Sequence, residues 1–411
     1  MNETALIKQL ADDVPPMSES AFETGRRRLL ALDRWARARR DTRVLWFATL
    51  IGLPLVLAAM GVHYLDLQVY RTGGLVWLKG LPLYVGFPHD LANFNLPFTY
   101  PPIAAVLFSG MTVLPVWLAN TLMTMVSFVS LSVVCFVVTR RLTPRTNVVW
   151  TVSAGVSVAA FALEPVHSTF LYGQVNLVLM AFVVVDCLAV TDRRWRGMLV
   201  GLAAALKLTP LIFVLYFVVR RDWRAVFTSV ATFFGVAGAG FVLAPHDSFE
   251  FWFNGLLDGS RVGGIAYMTN QSLRGVLHRL NPGQSTEMVL WVVLSAIVVV
   301  LAVIAARRAR HDVVALVAIA TAGLLVSPIS WSHHWVWCVP AFLALAFLRP
   351  GAALPVLVAA FFLGPFNWLP STGDKEMLWT WWQHLYGDLY TWIAIGLLVL
   401  LATRPRIVSS A

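Results

Sequence analysis

A carboxylate, two adjacent histidines and a few isolated cations are the side chains in this sequence best suited to chemistry. The carboxylate is Asp66, a few residues past the end of a strongly apolar run. The histidines are His333 and His334, in the stretch SPISWSHHW. Arg274 and Arg279 follow an Asn-Gln-Ser run, and Lys207 interrupts the apolar stretch GMLVGLAAALKLTPLIFVLYFVV. A carboxylate that accepts a hydrogen bond from an imidazole is held and tuned as a general base for a hydroxyl proton. Arginine grips a phosphate through paired N–H donors, and lysine offers it a point charge. Tyr70, Gln174, Asn176, Asn270 and Gln271 add polar groups able to hydrogen-bond sugar hydroxyls. Such a set suits transfer of a sugar to a hydroxyl from a phosphate leaving group.

Each residue also has a plainer reading. Asp66 stands where a helix N-cap would stand, between an apolar span and an amphipathic run. Lys207 could snorkel to an interface, and His333 and His334 could be interfacial hydrogen-bonding groups. Arg274 and Arg279 could be solvated loop residues. A metal centre is not expected, because adjacent histidines on a helix point about 100° apart and rarely share one ion. The three cysteines, Cys135, Cys187 and Cys338, lie inside apolar segments without metal or disulfide spacing and read as small packing residues.

The elements that must position these groups are membrane helices. The chain has 411 residues, of which 58% are hydrophobic and 13% charged. A soluble domain carries about 25% charged residues, so this chain cannot face water all round. Apolar runs long enough to cross about 30 Å of hydrocarbon recur along it. The fold class is an all-α polytopic membrane protein, with about 10–12 transmembrane helices and short helices on the outer side.

The net charge of +10 does not read as a nucleic-acid signal, because the arginines cluster at short linkers between apolar spans, which fixes topology. Residues 1–43 form a basic cytoplasmic tail without the apolar core of a signal peptide. Residues 44–411 then form a single transmembrane domain. With the tail inside, spans are expected near 44–62, 117–139, 147–163, 175–190, 225–244, 286–306, 313–329, 336–347, 352–369 and 386–403, and a dipping helix over 102–114. Both termini are then cytoplasmic. Only Arg71, Lys79, Arg261, Arg274, Arg279 and Lys375 fall outside, with Lys207 in the membrane. The stretch around Lys207 is too short to cross twice and sits between two basic clusters, so it fits either a pair of half-helices broken at residues 207–210 or one crossing that breaks the charge rule. Irregular backbone at that depth is tolerated where it lines a cavity, and a lysine there is a functional candidate. Asp66, Gln174, Asn176, the Asn-Gln-Ser run and the histidine pair all fall on the outer face. A transporter or flippase would place polar groups on both faces and would show internal repeats. A bare scaffold would leave Lys207 and the external acid unexplained.

Six motifs in order carry a family resemblance: D-L-x-V-Y at Asp66, F-x-Y-P-P (residues 98–102), G-Q-V-N (173–176), G-L-A-A-A-L-K-L-T-P (201–210), N-Q-S (270–272) and S-P-I-S-W-x-H-H (327–334). The chain resembles the polyprenol-phosphate-dependent glycosyltransferases of the GT-C class. Within it, the chain is most similar to the actinobacterial group that builds phosphatidylinositol mannosides, to which related arabinofuranosyltransferases also belong. The resemblance implies a plasma-membrane enzyme with a periplasmic active site and a polyprenyl tail held among the helices. It implies inverting transfer without nucleotide-sugar, cofactor or obligatory metal. The family's acid falls on Asp66 and its histidine on His333 or His334. The implied reaction moves mannose from polyprenyl-phosphate-mannose to O2 of a mannose on a glycolipid acceptor. Arabinose from a polyprenyl-phosphate donor is the alternative.

Overall fold

A computed structural model describes residues 42–62, 64–92, 94, 96–255, 264–349 and 351–403. The basic tail before residue 42, the loop residues Asn93, Asn95 and Arg261, and the final Arg-Pro-Arg run lie outside the described residues. Among those described there is no named strand, only an isolated bridge between Asn270 and Trp331.

Among the described residues, four helices are long and apolar enough to cross a membrane: α1 (Thr42–Ala59), α4 (Val116–Leu142), α10 (Trp223–Leu243) and α12 (Gln284–Arg308). A bent pair adds a fifth candidate span. In it, α5 (Thr146–Ala159) and its one-turn extension meet α6 (Glu164–Tyr172) at 77°. The bend is at Leu163, whose backbone is extended, and Pro165 in the first turn of α6 starts the new direction. Shorter apolar helices complete the set: α7 (Asn176–Val184), α8 (Met198–Leu206), α9 (Val214–Val219), α13 (Asp312–Val326), α14 (Cys338–Leu348), α15 (Ala353–Leu363) and α16 (Leu389–Thr403). Two short helices, α2 (Leu65–Leu78) and α3 (Pro102–Ser109), carry the first polar loop, and α11 (Leu273–Leu280) carries the third.

The core forms around α13, where Ala315 through Ala322 and Leu325 are all buried. A helix that is apolar all round belongs in a protein interior or a bilayer. α12, α14 and α16 pack on it. By contrast, α12 shows Val289, Val292, Val293, Ile297 and Val300 at its surface, as a lipid-facing helix does. The three cysteines are free and buried, as packing residues. The α2–α3 pair closes backbone to backbone at Gly74, where a Cβ would stand 2.6 Å from the Ser109 nitrogen.

The stretch around Lys207 is broken. α8 ends at Leu206, Lys207 is extended (φ −152°, ψ 127°), and a 3₁₀ turn spans Thr209–Phe213 before α9. Two expectations need correction. The span placed at 352–369 is helical only to Leu363, because Gly364 takes φ +51° and Pro365 opens a 3₁₀ turn. Asp66 is not the cap of α2. That position belongs to Tyr64, in a left-handed conformation, and Asp66 lies within the first turn.

Candidate active site

Five segments converge on one polar cluster. The first turn of α2 supplies Asp66, with Tyr70 one turn later on the same face. The strand-like link before α3 supplies Tyr100. Gly173, at φ +66°, ends α6 in a left-handed turn and hands the chain to Gln174 and Asn176 at the start of α7. The α8 break supplies Lys207, and the 3₁₀ turn Ser332–Trp337 supplies His333 and His334.

On one side of the cluster the Tyr70 hydroxyl donates to Oε1 of Gln174 at 2.6 Å. The Tyr100 hydroxyl lies 2.8 Å from that of Tyr70 and 3.2 Å from the same Oε1. Gln174 hydrogen-bonds Asp66 as well. A carboxylate only accepts, so the Gln174 amide nitrogen faces Asp66 and its oxygen faces the phenols. Burial pushes the Asp66 carboxyl up to about 6, against the opposing pull of the Gln174 hydrogen bond and the Lys207 charge.

On the other side all three Lys207 N–H donors are engaged. They reach Asn176 Oδ1 at 3.1 Å, His334 Nε2 at 3.2 Å and the Tyr100 hydroxyl at 3.4 Å. Asn176 and Thr169 each donate to the His333 carbonyl at 3.0 Å. The His333 ring packs edge-on against Tyr172 and against His334, and its Nε2 is buried without a partner. Glu164 clamps this turn: its Oε1 accepts from Ser332 at 2.7 Å and Ser168 at 2.8 Å, and its Oε2 from Tyr390 at 3.2 Å. Lys207 and His334 also line a cavity of about 60 Å³ whose other walls are mostly apolar, among them Leu179, Met180, Phe213, Leu324 and Trp337, with Asn176, Thr209, Ser327 and Ser330 between them. A cation at the head of an apolar groove suits a phosphate carrying a hydrocarbon tail.

Four expected site residues lie elsewhere. Arg279 is fully buried and spends its terminal N–H donors on the Ala266, Tyr267 and Asn270 carbonyls and on Asp388, which also bonds His384. It cannot reach a phosphate without withdrawing its charge from the buried Asp388 carboxylate. Arg274 sits beside Glu287 at 3.4 Å, over the Trp291 ring. Asn270 and Gln271 are completely buried. Asn270 bonds the Ile265 carbonyl and the Ser272 and Ser330 amides; Gln271 bonds the Met268 and Gly387 carbonyls and the Tyr390 amide. Their amides satisfy backbone rather than sugar, splicing the third polar loop to the histidine turn and to α16. Tyr70 and Gln174 are likewise buried, at 0% and 5% exposure, so they support the cluster from behind. Two members, Tyr100 and Glu164, were not read as site residues from sequence. Tyr100 stands inside the quoted F-x-Y-P-P motif, which was the available signal. Among the described residues no three His, Cys, Asp or Glu side chains converge as metal ligands would.

Comparison with known proteins adds a family. Residues 98–328 match the model of glycosyltransferase family 87. The chain is 38% identical over 392 residues, covering 88% of it and 91% of the relative, to a polyprenol-phosphate-mannose-dependent alpha-(1-2)-phosphatidylinositol mannoside mannosyltransferase of Mycobacterium tuberculosis. It is 39% identical over 391 residues (87% and 89%) to the protein of the same name from Mycolicibacterium smegmatis. A polyprenol-phosphate-mannose-dependent alpha-(1-2)-phosphatidylinositol pentamannoside mannosyltransferase of M. smegmatis is 35% identical over 298 residues, 68% of each chain. No solved structure gives a significant match.

Proposed function

Because the chain belongs to glycosyltransferase family 87, we propose that it transfers mannose from polyprenyl-phosphate-mannose to a mannose hydroxyl of a phosphatidylinositol mannoside. The acceptor oxygen is O2 and the new bond an α-1,2 linkage. The observation that carries this reading is a single cluster joining a half-buried acid, Asp66, to a cation, Lys207, at the head of an apolar groove.

In the proposed reaction Asp66 takes the proton from the acceptor hydroxyl as that oxygen attacks the anomeric carbon. The bond from that carbon to the phosphate oxygen breaks on the opposite face, and its electron pair leaves with the polyprenyl phosphate. A β-linked donor then gives an α-linked product. Lys207, exchanging one of its three resting contacts for the phosphate, holds it beside His334, and the mostly apolar groove takes the start of its tail. Arg274 and Arg279, expected to share the phosphate, are not part of this reading. The site would face the outside, with both termini cytoplasmic. In support, α4 and α12 carry arginines in their last turns (Arg140, Arg141, Arg307 and Arg308), the pattern of cytoplasmic ends. Mannose is favoured over arabinose as the donor sugar because the relatives above are named for mannose donors.

The test is Asp66→Asn. General-base assistance contributes about 10²–10⁴ in rate, so the purified variant should fold, insert and bind donor while losing transfer by that factor. Near wild-type transfer by Asp66→Asn would sink the assignment.

A further inference from the structure

The residues behind the acid are arranged with a direction. Lys207 can only donate, so the Tyr100 oxygen accepts from it at 3.4 Å. The Tyr100 proton is then free for the Tyr70 oxygen at 2.8 Å or for Gln174 Oε1 at 3.2 Å, and on either path it points on toward Gln174. Tyr70 donates to Gln174 Oε1 at 2.6 Å, and the Gln174 amide nitrogen donates to Asp66. Every hydrogen in the chain points from the cation toward the carboxylate. Tyr70 stacks on Phe108 at 4.5 Å between ring centroids, and Tyr100 packs edge-on against Tyr70 at 5.1 Å. Neither phenol can swing toward a substrate without opening the α2–α3 interface.

We infer that Tyr100, Tyr70 and Gln174 are positioning residues for the base: a one-way hydrogen-bond chain that fixes the Gln174 amide so that it donates to Asp66. The inference rests on the proposed role of Asp66. It replaces sugar binding as the job of Tyr70 and Gln174 and adds Tyr100. Hydrogen-bond chains of one direction polarise along their length, so the Asp66 carboxylate is held by the whole set and not by Gln174 alone. The titratable and charged groups facing Asp66 are Tyr70 on its own helix, Tyr100 on the link before α3, Tyr172 on α6 and Lys207 at the α8 break.

The experiment compares Tyr70→Phe, Tyr100→Phe and Gln174→Leu with wild type in purified, detergent-solubilised full-length enzyme. It uses polyprenyl-phosphate-mannose as donor and a phosphatidylinositol mannoside as acceptor, and measures kcat and KM across pH. The Phe variants keep the rings and therefore the packing, and a melting curve for each checks that they fold. A misaligned base loses roughly 10- to 100-fold. In the expected result kcat falls by that factor with both KM values nearly unchanged, and the acid limb of the profile moves to higher pH, because a carboxylate that loses a donated hydrogen bond holds its proton more tightly. The double variant Tyr70→Phe/Tyr100→Phe should be no slower than Gln174→Leu, as members of one chain are not additive. A rise in KM at unchanged kcat would mark these residues as sugar ligands and overturn the inference. So would an acid limb that superimposes on wild type. Failure of the Asp66 role is seen separately, as activity retained by Asp66→Asn.

Discussion

Lys207 Nζ lies 3.2 Å from Nε2 of His334, an ammonium donating into an imidazole. That contact fixes His334 as the neutral tautomer with its proton on Nδ1, because the accepting nitrogen must carry the lone pair. The pair closes the polar end of the groove, so a donor phosphate entering it meets the lysine with its charge already aimed. Lys207→Met should therefore raise the donor KM and lower transfer by roughly 100-fold or more, as loss of a charge-assisted contact to a developing anion does. Lys207→Arg should not restore activity. Asn176, His334 and Tyr100 converge on a compact ammonium, and a planar guanidinium cannot meet all three. Transfer rates at several donor concentrations decide; full rescue by arginine would show that charge alone suffices.

The pH dependence of transfer follows from Asp66. A general base works only when unprotonated, and burial raises this carboxyl to about 6. Transfer should thus be complete well above pH 6 and be lost as pH falls through about 6, not through the ordinary aspartate range. The Lys207 charge opposes that rise, so Lys207→Met should carry the acid limb to higher pH still. Initial rates against pH, at saturating donor, measure both. An acid limb at ordinary aspartate values would mean that Asp66 is more open to water than the structure places it.

Some of this was open to reading before the fold was known. The break at Lys207 was legible because Lys and Pro three residues apart inside an apolar stretch leave few helical solutions. The polar cluster was legible as a set of motifs in order, and Asp66 as an acid just beyond a span. The division of labour was not. An arginine that grips a phosphate and one that pairs with a buried carboxylate use the same fork of donors, so only the position of Asp388, 109 residues away in sequence, separates the two for Arg279. An amide that binds sugar and one that binds backbone are equally alike, which is why Asn270 and Gln271 read as ligands. Tyr100 passed unread because its role depends on a hydroxyl-to-hydroxyl contact with Tyr70 that spacing along the chain does not announce.

The relocation of Arg279 makes a stability prediction. Removing one partner of a buried pair typically costs about 3–5 kcal/mol, and both side chains here are fully buried. Arg279→Leu should lower the melting temperature of the purified protein sharply. Arg274→Leu should cost less, about 1 kcal/mol, because His278 still bonds the other oxygen of Glu287 at 2.8 Å. Thermal unfolding in one detergent compares them directly. If Arg279→Leu melts like wild type and instead raises the donor KM, the phosphate role returns to it.

The two histidines should part company under substitution. His334 is bonded to Lys207 and lines the groove, so His334→Ala should raise the donor KM. It should add little to Lys207→Met, because the two act on the same phosphate. His333 differs: its carbonyl is held by Thr169 and Asn176, but its buried Nε2 has no partner. An unsatisfied buried nitrogen costs stability in the resting protein, and such groups persist where a bound substrate completes them. His333→Phe keeps a ring against Tyr172 and removes the orphaned nitrogen. It should leave the melting temperature unchanged or higher while cutting transfer roughly 10- to 100-fold, the effect of losing one preorganised hydrogen-bonding group. Parallel melting curves and transfer rates for His333→Phe read both sides of that trade, and a variant that melts earlier yet transfers normally would make His333 a packing residue.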